Sequence, residues 1–439
     1  MTEVEIINYR VYRSRWLQLF IFVLATFSNA IHNMTFAPIQ SQTSIFFNIT
    51  STQVNILAII FVFLYVIGSI LSIWLSRMLS IRAVIFIGSI LNLGAFIRLF
   101  SLISPSNGYP ALIIGQLFPA IATPLFVNMT TLFAARWFSS KQRDIATAVA
   151  SMANPLGLAV GSLFPSLIVT DGSGSKDFFI LLLTEACFSA LVTVLVAILF
   201  RSQPPSPPSP SEEYHLPINF KTDLINLLKN RHYLILLFSF SLGLAFFNAM
   251  IALLYQIIQP TGYSSNDAGI YGAIIMISGL FSTFLVGILM DRTHAYRSIL
   301  KILSIGACAS SIYFILVLQP NQYYPLVVSI GLMGFFLLPL LPVAFECALE
   351  CTYPISAEWS TGLLMCMGNL LGGIFIFILD ALIKCNPISK SPLIFTPTSL
   401  FILCCCVIST IVLLFYRGPY LRLEDELRVY VRSSSETSL

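Results

Sequence analysis

Two asparagines, Asn33 and Asn154, recur 215 positions later as Asn248 and Asn369, and all four lie inside strongly apolar stretches. A carboxamide offers two donors and one acceptor, which suits holding a hydrogen-bonding solute and does not suit bond making. Facing hydrocarbon, such a group would be costly. The four amides should therefore either line a shared cavity or staple helices to one another. Gln116, Phe247, Tyr255 and Gln256 add polar and aromatic surface at similar depth and join the four asparagines as candidate solute contacts. No nucleophile–base pair and no zinc-like spacing of cysteine and histidine is present. Catalysis is thus the weakest reading, and neither a cofactor nor a metal is implied.

The titratable residues at depth are few. His32 could couple solute movement to a proton, since histidine titrates near physiological pH; a packing role is the plainer reading. Arg98 and Glu185 suggest either a structural ion pair or a side chain that snorkels outward. Glu346 and Glu350 are four apart, hence on one helix face. Arg292 and Arg297 are their expected partners, because the loop after Glu350 carries no basic residue.

These side chains need apolar scaffolding, and the composition supplies it. Hydrophobic residues make up 57% of the 439 and charged residues only 10%, against about 25% charged in a soluble domain. With a mean hydropathy of +0.88, the chain belongs in a bilayer. Twelve apolar stretches of about 20 residues each can cross ~30 Å of hydrocarbon. The expected fold is all-α: twelve transmembrane helices in two pseudo-symmetric six-helix halves. Residues 1–15 form one tail, 16–200 the N-terminal half, 201–232 a linker, 233–416 the C-terminal half and 417–439 a second tail. The 215-residue repeat relates the halves and puts any solute site between them.

Orientation follows from the basic residues. Of the 23 Lys and Arg, all but Arg98, Lys176, Lys384 and Lys390 fall on one side, which the positive-inside rule makes cytoplasmic. Both termini should be cytoplasmic. The net charge of +4 reflects this topology and gives no reason to expect nucleic acid. Asn48-Ile-Thr50 is a glycosylation sequon on the opposite side.

Several segments read as gates or hinges. Gly287-Ile-Leu-Met-Asp291-Arg292, followed by Arg297, places an acid and bases at a helix end, where they can pair and hold one conformation closed. Its repeat mate keeps Arg77 and Arg82 but has Ser76 at the acid position, so a weaker latch is expected in the N-terminal half. Asn154-Pro155-Leu-Gly157, with Gly161 one turn on, combines a helix breaker with a small-residue face, which favours a hinge and close helix packing. The Pro-Pro-Ser-Pro-Pro run of the linker should be extended, and Leu216 to Lys229 suits a short amphipathic helix. The C-terminal tail is polar and mixed in charge, and is expected to be solvated.

The run Phe345-Glu346-x-Ala-x-Glu350-x-Thr-Tyr353-Pro354, with Trp137-Phe138, Arg143 and Asn154-Pro-Leu-Gly157, resembles solute carrier family 49 of the major facilitator superfamily. That resemblance covers nearly the whole chain. It implies transport of small molecules, with choline and ethanolamine or haem assigned to family members. In choline-carrying members a tryptophan on the first span, an aromatic on the seventh and glutamines on the fifth and eleventh surround the ammonium. Here Asn33, Phe247 or Asn248, Pro155 and Asn369 stand at those places.

The expected activity is passage of a small organic solute by alternating access, facilitative rather than coupled, through a monomer in a lipid bilayer. The plasma membrane is the expected location, with an endolysosomal membrane as the alternative. A receptor that keeps the fold without transporting is the competing function.

Overall fold

The structure is a computed structural model, and it describes residues 12–170, 172–206, 220–263, 265–385 and 396–425. Among them the secondary structure is helical throughout, and twelve helices are long and apolar enough to cross a membrane. Spans 1 to 6 are Arg15–Met34, Thr52–Met78, Ile81–Leu102, Tyr109–Val127, Gln142–Ile168 and Ser175–Leu199. Spans 7 to 12 are Arg231–Leu254, Asp267–Thr293, Tyr296–Val317, Tyr323–Thr352, Trp359–Ile383 and Pro397–Leu414. With an even number of spans, the start of span 1 and the end of span 12 share one end of the bundle. Arg15, Arg77, Arg82, Arg297 and Arg417 lie there too, and this end is termed the basic face.

Local sequence accounts for the helix starts. Thr50 accepts the backbone N–H of Gln53 at 3.3 Å, and the Gln53 side chain accepts the N–H of Thr50 at 2.8 Å, a reciprocal cap that begins span 2. Thr396 caps span 12 in the same way, through the Ser399 N–H at 3.2 Å. The amphipathic linker segment is helical over Phe220–Lys229. Asn230 ends it and caps span 7 by accepting the N–H groups of His232 and Tyr233 at 3.1 and 3.2 Å. The proline run from Pro207 to Pro210 lies outside the described residues.

Glycines allow a close approach between spans 1 and 5. A methyl at Gly157 would stand 2.6 Å from Ala30 Cβ, and one at Gly161 would stand 2.7 Å from the Ile31 carbonyl oxygen. The small-residue face expected from sequence is therefore what lets these two backbones touch. At the repeat-related place, Gly372 leaves room for Asn248.

The N-terminal half is locked by a buried polar cluster among spans 1, 3, 4 and 6. Arg98 donates to Glu185 Oε2 at 3.0 Å, to His32 Nδ1 at 2.9 Å and to Thr35 Oγ1 at 3.3 Å. Thr35 donates to Glu185 at 2.8 Å. With Nδ1 accepting from arginine, the His32 Nε2–H is left to donate to Ser189 Oγ at 2.7 Å. Of the two readings of Arg98 and Glu185, the structure gives the ion pair. Of the two roles open to His32, the structure gives packing: it is fully buried in this cluster. It corrects the placing of Gln116 among the solute contacts, since Gln116 donates to the His32 carbonyl at 3.1 Å; neither residue lines the central cavity. Tight packing of span 1 on spans 4 and 6 turns that side of the helix away from the solute path.

Candidate functional site

A cavity of about 1670 Å³ lies between the halves. Pro38 and Gln40 beyond span 1, Thr170 beyond span 5 and Gly269 at the start of span 8 line it, so it reaches the face opposite the basic one. All four repeat-related asparagines border it, as do Phe247 and Gln256. Asn248 donates to Asn369 Oδ1 at 3.3 Å, and Asn369 donates to the Met365 carbonyl at 2.9 Å. The C-terminal pair thus both staples spans 7 and 11 and faces the cavity. Asn33 and Asn154, by contrast, are half-buried, and their side chains make no hydrogen bond to protein among the described residues. The Tyr255 side chain lies outside the described residues.

The cavity wall is rich in acceptors. Thr123, Ser151 and Ser162 spend their hydroxyl protons on the carbonyls of Pro119, Ala148 and Leu158, at 3.1, 3.0 and 2.8 Å. What they offer the cavity is lone pairs. Asp380, towards the open end, is the sole charged lining side chain among the described residues. No lysine, arginine or histidine borders the space, and an anion would enter it uncompensated.

The other end of the cavity is sealed by contacts across the halves. Asp291, at the end of span 8, accepts the backbone N–H groups of Asp144 and Ile145 at the start of span 5, both at 3.1 Å. A carboxylate at exposed N–H groups of a helix start is doubly favoured, by charge-assisted hydrogen bonds and by the helix dipole. Tyr296 donates to Asp144 Oδ2 at 2.9 Å, a second bridge between the halves. On the symmetry-related side, the Arg77 guanidinium of span 2 lies 5.2 Å from the ring centre of Trp359 on span 11. Thr131 and Thr361 meet nearby at 3.4 Å. Both loop motifs singled out from sequence therefore act across the interface, with Trp359 as the partner that sequence reasoning missed. Its signal was present: Trp359 is 215 residues after Asp144. Arg82 instead donates to the Ala197 carbonyl at 2.7 Å within its own half, and Arg292 is exposed.

The C-terminal tail was expected to be solvated, and Glu346 and Glu350 were expected to meet Arg292 and Arg297. The structure revises both. Residues 416–425 dock under the C-terminal half, and residues beyond 425 lie outside the described set. Arg422 approaches Glu346 at 3.9 Å, and the Leu423 N–H donates to Glu350 at 3.2 Å. Arg297 stacks on Tyr420 at 4.3 Å and gives its backbone N–H to the Tyr420 hydroxyl at 3.1 Å. Buried carboxylates attract the nearest chain that can satisfy them, and the tail's arginine and free N–H groups do so.

Residues 19–376 match the Major Facilitator Superfamily. Solute carrier family 49 member A3 of Danio rerio is 32% identical over 381 residues, covering 85% of this chain and 80% of the relative. The chain belongs to solute carrier family 49 of this superfamily. A further relative, the human choline/ethanolamine transporter FLVCR2, is 26% identical over 378 residues, covering 83% of this chain and 71% of that one. Among solved structures, the superfamily transporter FucP in its outward conformation superposes with a TM-score of 0.71 at 17% identity, covering 92% of this chain and all of that one. The fold is that of the superfamily, and this family member is a multi-pass membrane transporter.

Proposed function

We propose that the chain carries a small, hydrogen-bond-donating organic solute, neutral or singly cationic, by alternating access. The observation that carries this reading is the sealed-and-open, mostly apolar cavity in which hydroxyl acceptor oxygens and the amides of Asn33, Asn154, Asn248 and Asn369 supply polar contacts, with no basic side chain. Relatives named as choline/ethanolamine transporters support an ammonium-bearing solute. Ethanolamine, with three N–H donors, suits acceptor oxygens better than a trimethylammonium does. The latter relies on an aromatic cage, and the tryptophan of choline-carrying members is Asn33 here.

The basic residues support a cytoplasmic basic face, so the open cavity faces outward. The conformation is then outward-open, and both latches hold the cytoplasmic gate. With His32 packed away from the cavity, facilitative rather than proton-coupled movement is favoured, through a monomer in the plasma membrane. The test is flux of labelled ethanolamine and choline in cells expressing the chain, beside Asn369→Leu. Saturable ethanolamine flux, lost in Asn369→Leu at equal surface level, is the expected result. Absence of flux of either solute from protein verified at the surface would remove this substrate class.

A further inference from the structure

The N-terminal latch lacks its acid. Position 76, the mate of Asp291, is serine, and its hydroxyl turns back to the Ile73 carbonyl at 2.9 Å. Arg77 nevertheless reaches the same surface that Asp291 uses in the other half, since Trp359 is the repeat mate of Asp144. The linker helix Phe220–Lys229 lies against this point. Leu227 is fully buried in an apolar cluster that also contains Ile73 of span 2 and Trp359 of span 11. Its neighbour Asn230 ties the helix to the C-terminal half by capping span 7 and by donating to the Cys351 carbonyl of span 10 at 2.7 Å.

We propose that this linker helix completes the gate, with Asp223 supplying from the linker the carboxylate that position 76 lacks and holding Arg77 on the Trp359 ring. Asp223 is half-buried and stands one turn before Leu227 on the same helix face, the face that packs towards Ile73 and Trp359; burial pushes its carboxyl up, and the Arg77 guanidinium draws it down. Helix, cap and Trp359 move with the C-terminal half, while Arg77 moves with the other. Opening the basic face must part Arg77 from both partners at once. Asp223 is therefore a positioning residue of the transport cycle: it touches no solute, yet it favours the sealed state. The proposal rests on the alternating-access reading above.

The experiment places a reporter inside the seal, Thr131→Cys, in the full-length chain in sealed membrane vesicles of defined orientation. Its labelling by a membrane-impermeant maleimide is measured from the basic face, net of the parent chain. A half-exposed charge pair contributes at most a few-fold to such an equilibrium, so Asp223→Asn should raise the labelling rate by about two- to five-fold. Asp223→Glu should leave it near the parent rate. Adding Ser76→Asp to Asp223→Asn should restore slow labelling, a rescue that a merely structural defect would not give. Unchanged labelling in Asp223→Asn, or no rescue by Ser76→Asp, overturns the proposal. If instead the reporter is never labelled from the basic face in any variant, including Trp359→Leu, alternating access itself fails and the proposal with it.

Discussion

Replacing Asp291 with asparagine tests the gate most directly. The carboxylate accepts two backbone N–H groups at the start of span 5, both at 3.1 Å. Hydrogen bonds to a charged group are worth about 1.5–3 kcal/mol each. Asparagine keeps one acceptor but turns an NH₂ toward the second N–H, so one such bond is lost and the other weakened. An opposing effect must be subtracted, because Glu346 repels the Asp291 carboxylate and Asp144 lies beside it. The relief leaves a net loss of about 1–2 kcal/mol, which shifts the sealed-to-open ratio by ~5- to 30-fold. The assay is maleimide labelling of Thr131→Cys from the basic face, combined with Asp291→Asn, and the expected change is faster labelling within that range. Labelling within two-fold of the parent, from folded protein at equal level, would refute the assignment of Asp291 as a latch.

Two further outcomes are expected. Glu185→Gln leaves the fully buried Arg98 guanidinium without its carboxylate, and breaking a buried pair costs about 3–5 kcal/mol. Detergent-solubilised protein should melt well below the parent, while solute affinity of the folded fraction stays unchanged, because Glu185 does not border the cavity. Asn48, exposed after the short helix Gln40–Phe47, should carry a glycan if the open end faces outward. Asn48→Gln should then abolish the glycosidase-sensitive mobility shift, and an unshifted parent chain would argue against that orientation.

Because the latches and the asparagines sit on repeat-related positions, one rotation of the halves would open one end as it closes the other. The glycine contacts between spans 1 and 5 and the Arg98 cluster keep the N-terminal half rigid during such a movement. Rigid halves confine the change to the interface, where the bonds to break among the described residues include Asp291 to span 5, Tyr296 and His294 to Asp144, Arg77 to Trp359 and Thr131 to Thr361.

The sequence by itself determined the twelve spans, the two-fold repeat and the four asparagines as one set, which either lines a cavity or staples helices. Hydrocarbon thickness dictates the length of each apolar run, and a repeated chain must place equivalent residues equivalently. That is why Asn33, Asn154, Asn248 and Asn369 could be read as a set. Depth along a helix, however, does not say which way a side chain turns. His32 and Asn33 are adjacent in sequence, yet one is packed against Ser189 and Arg98 while the other faces the cavity. Only the packing of spans 1, 4 and 6 decided that, and it also drew Gln116 away from the solute path. The same holds at the basic face. Spacing put Glu346 and Glu350 on one helix face but could not say that the tail would bind there, nor that Trp359 would take the place of an absent acid's partner. Those pairings join segments far apart in sequence, and they form because buried charges must be satisfied by whatever the fold brings within reach.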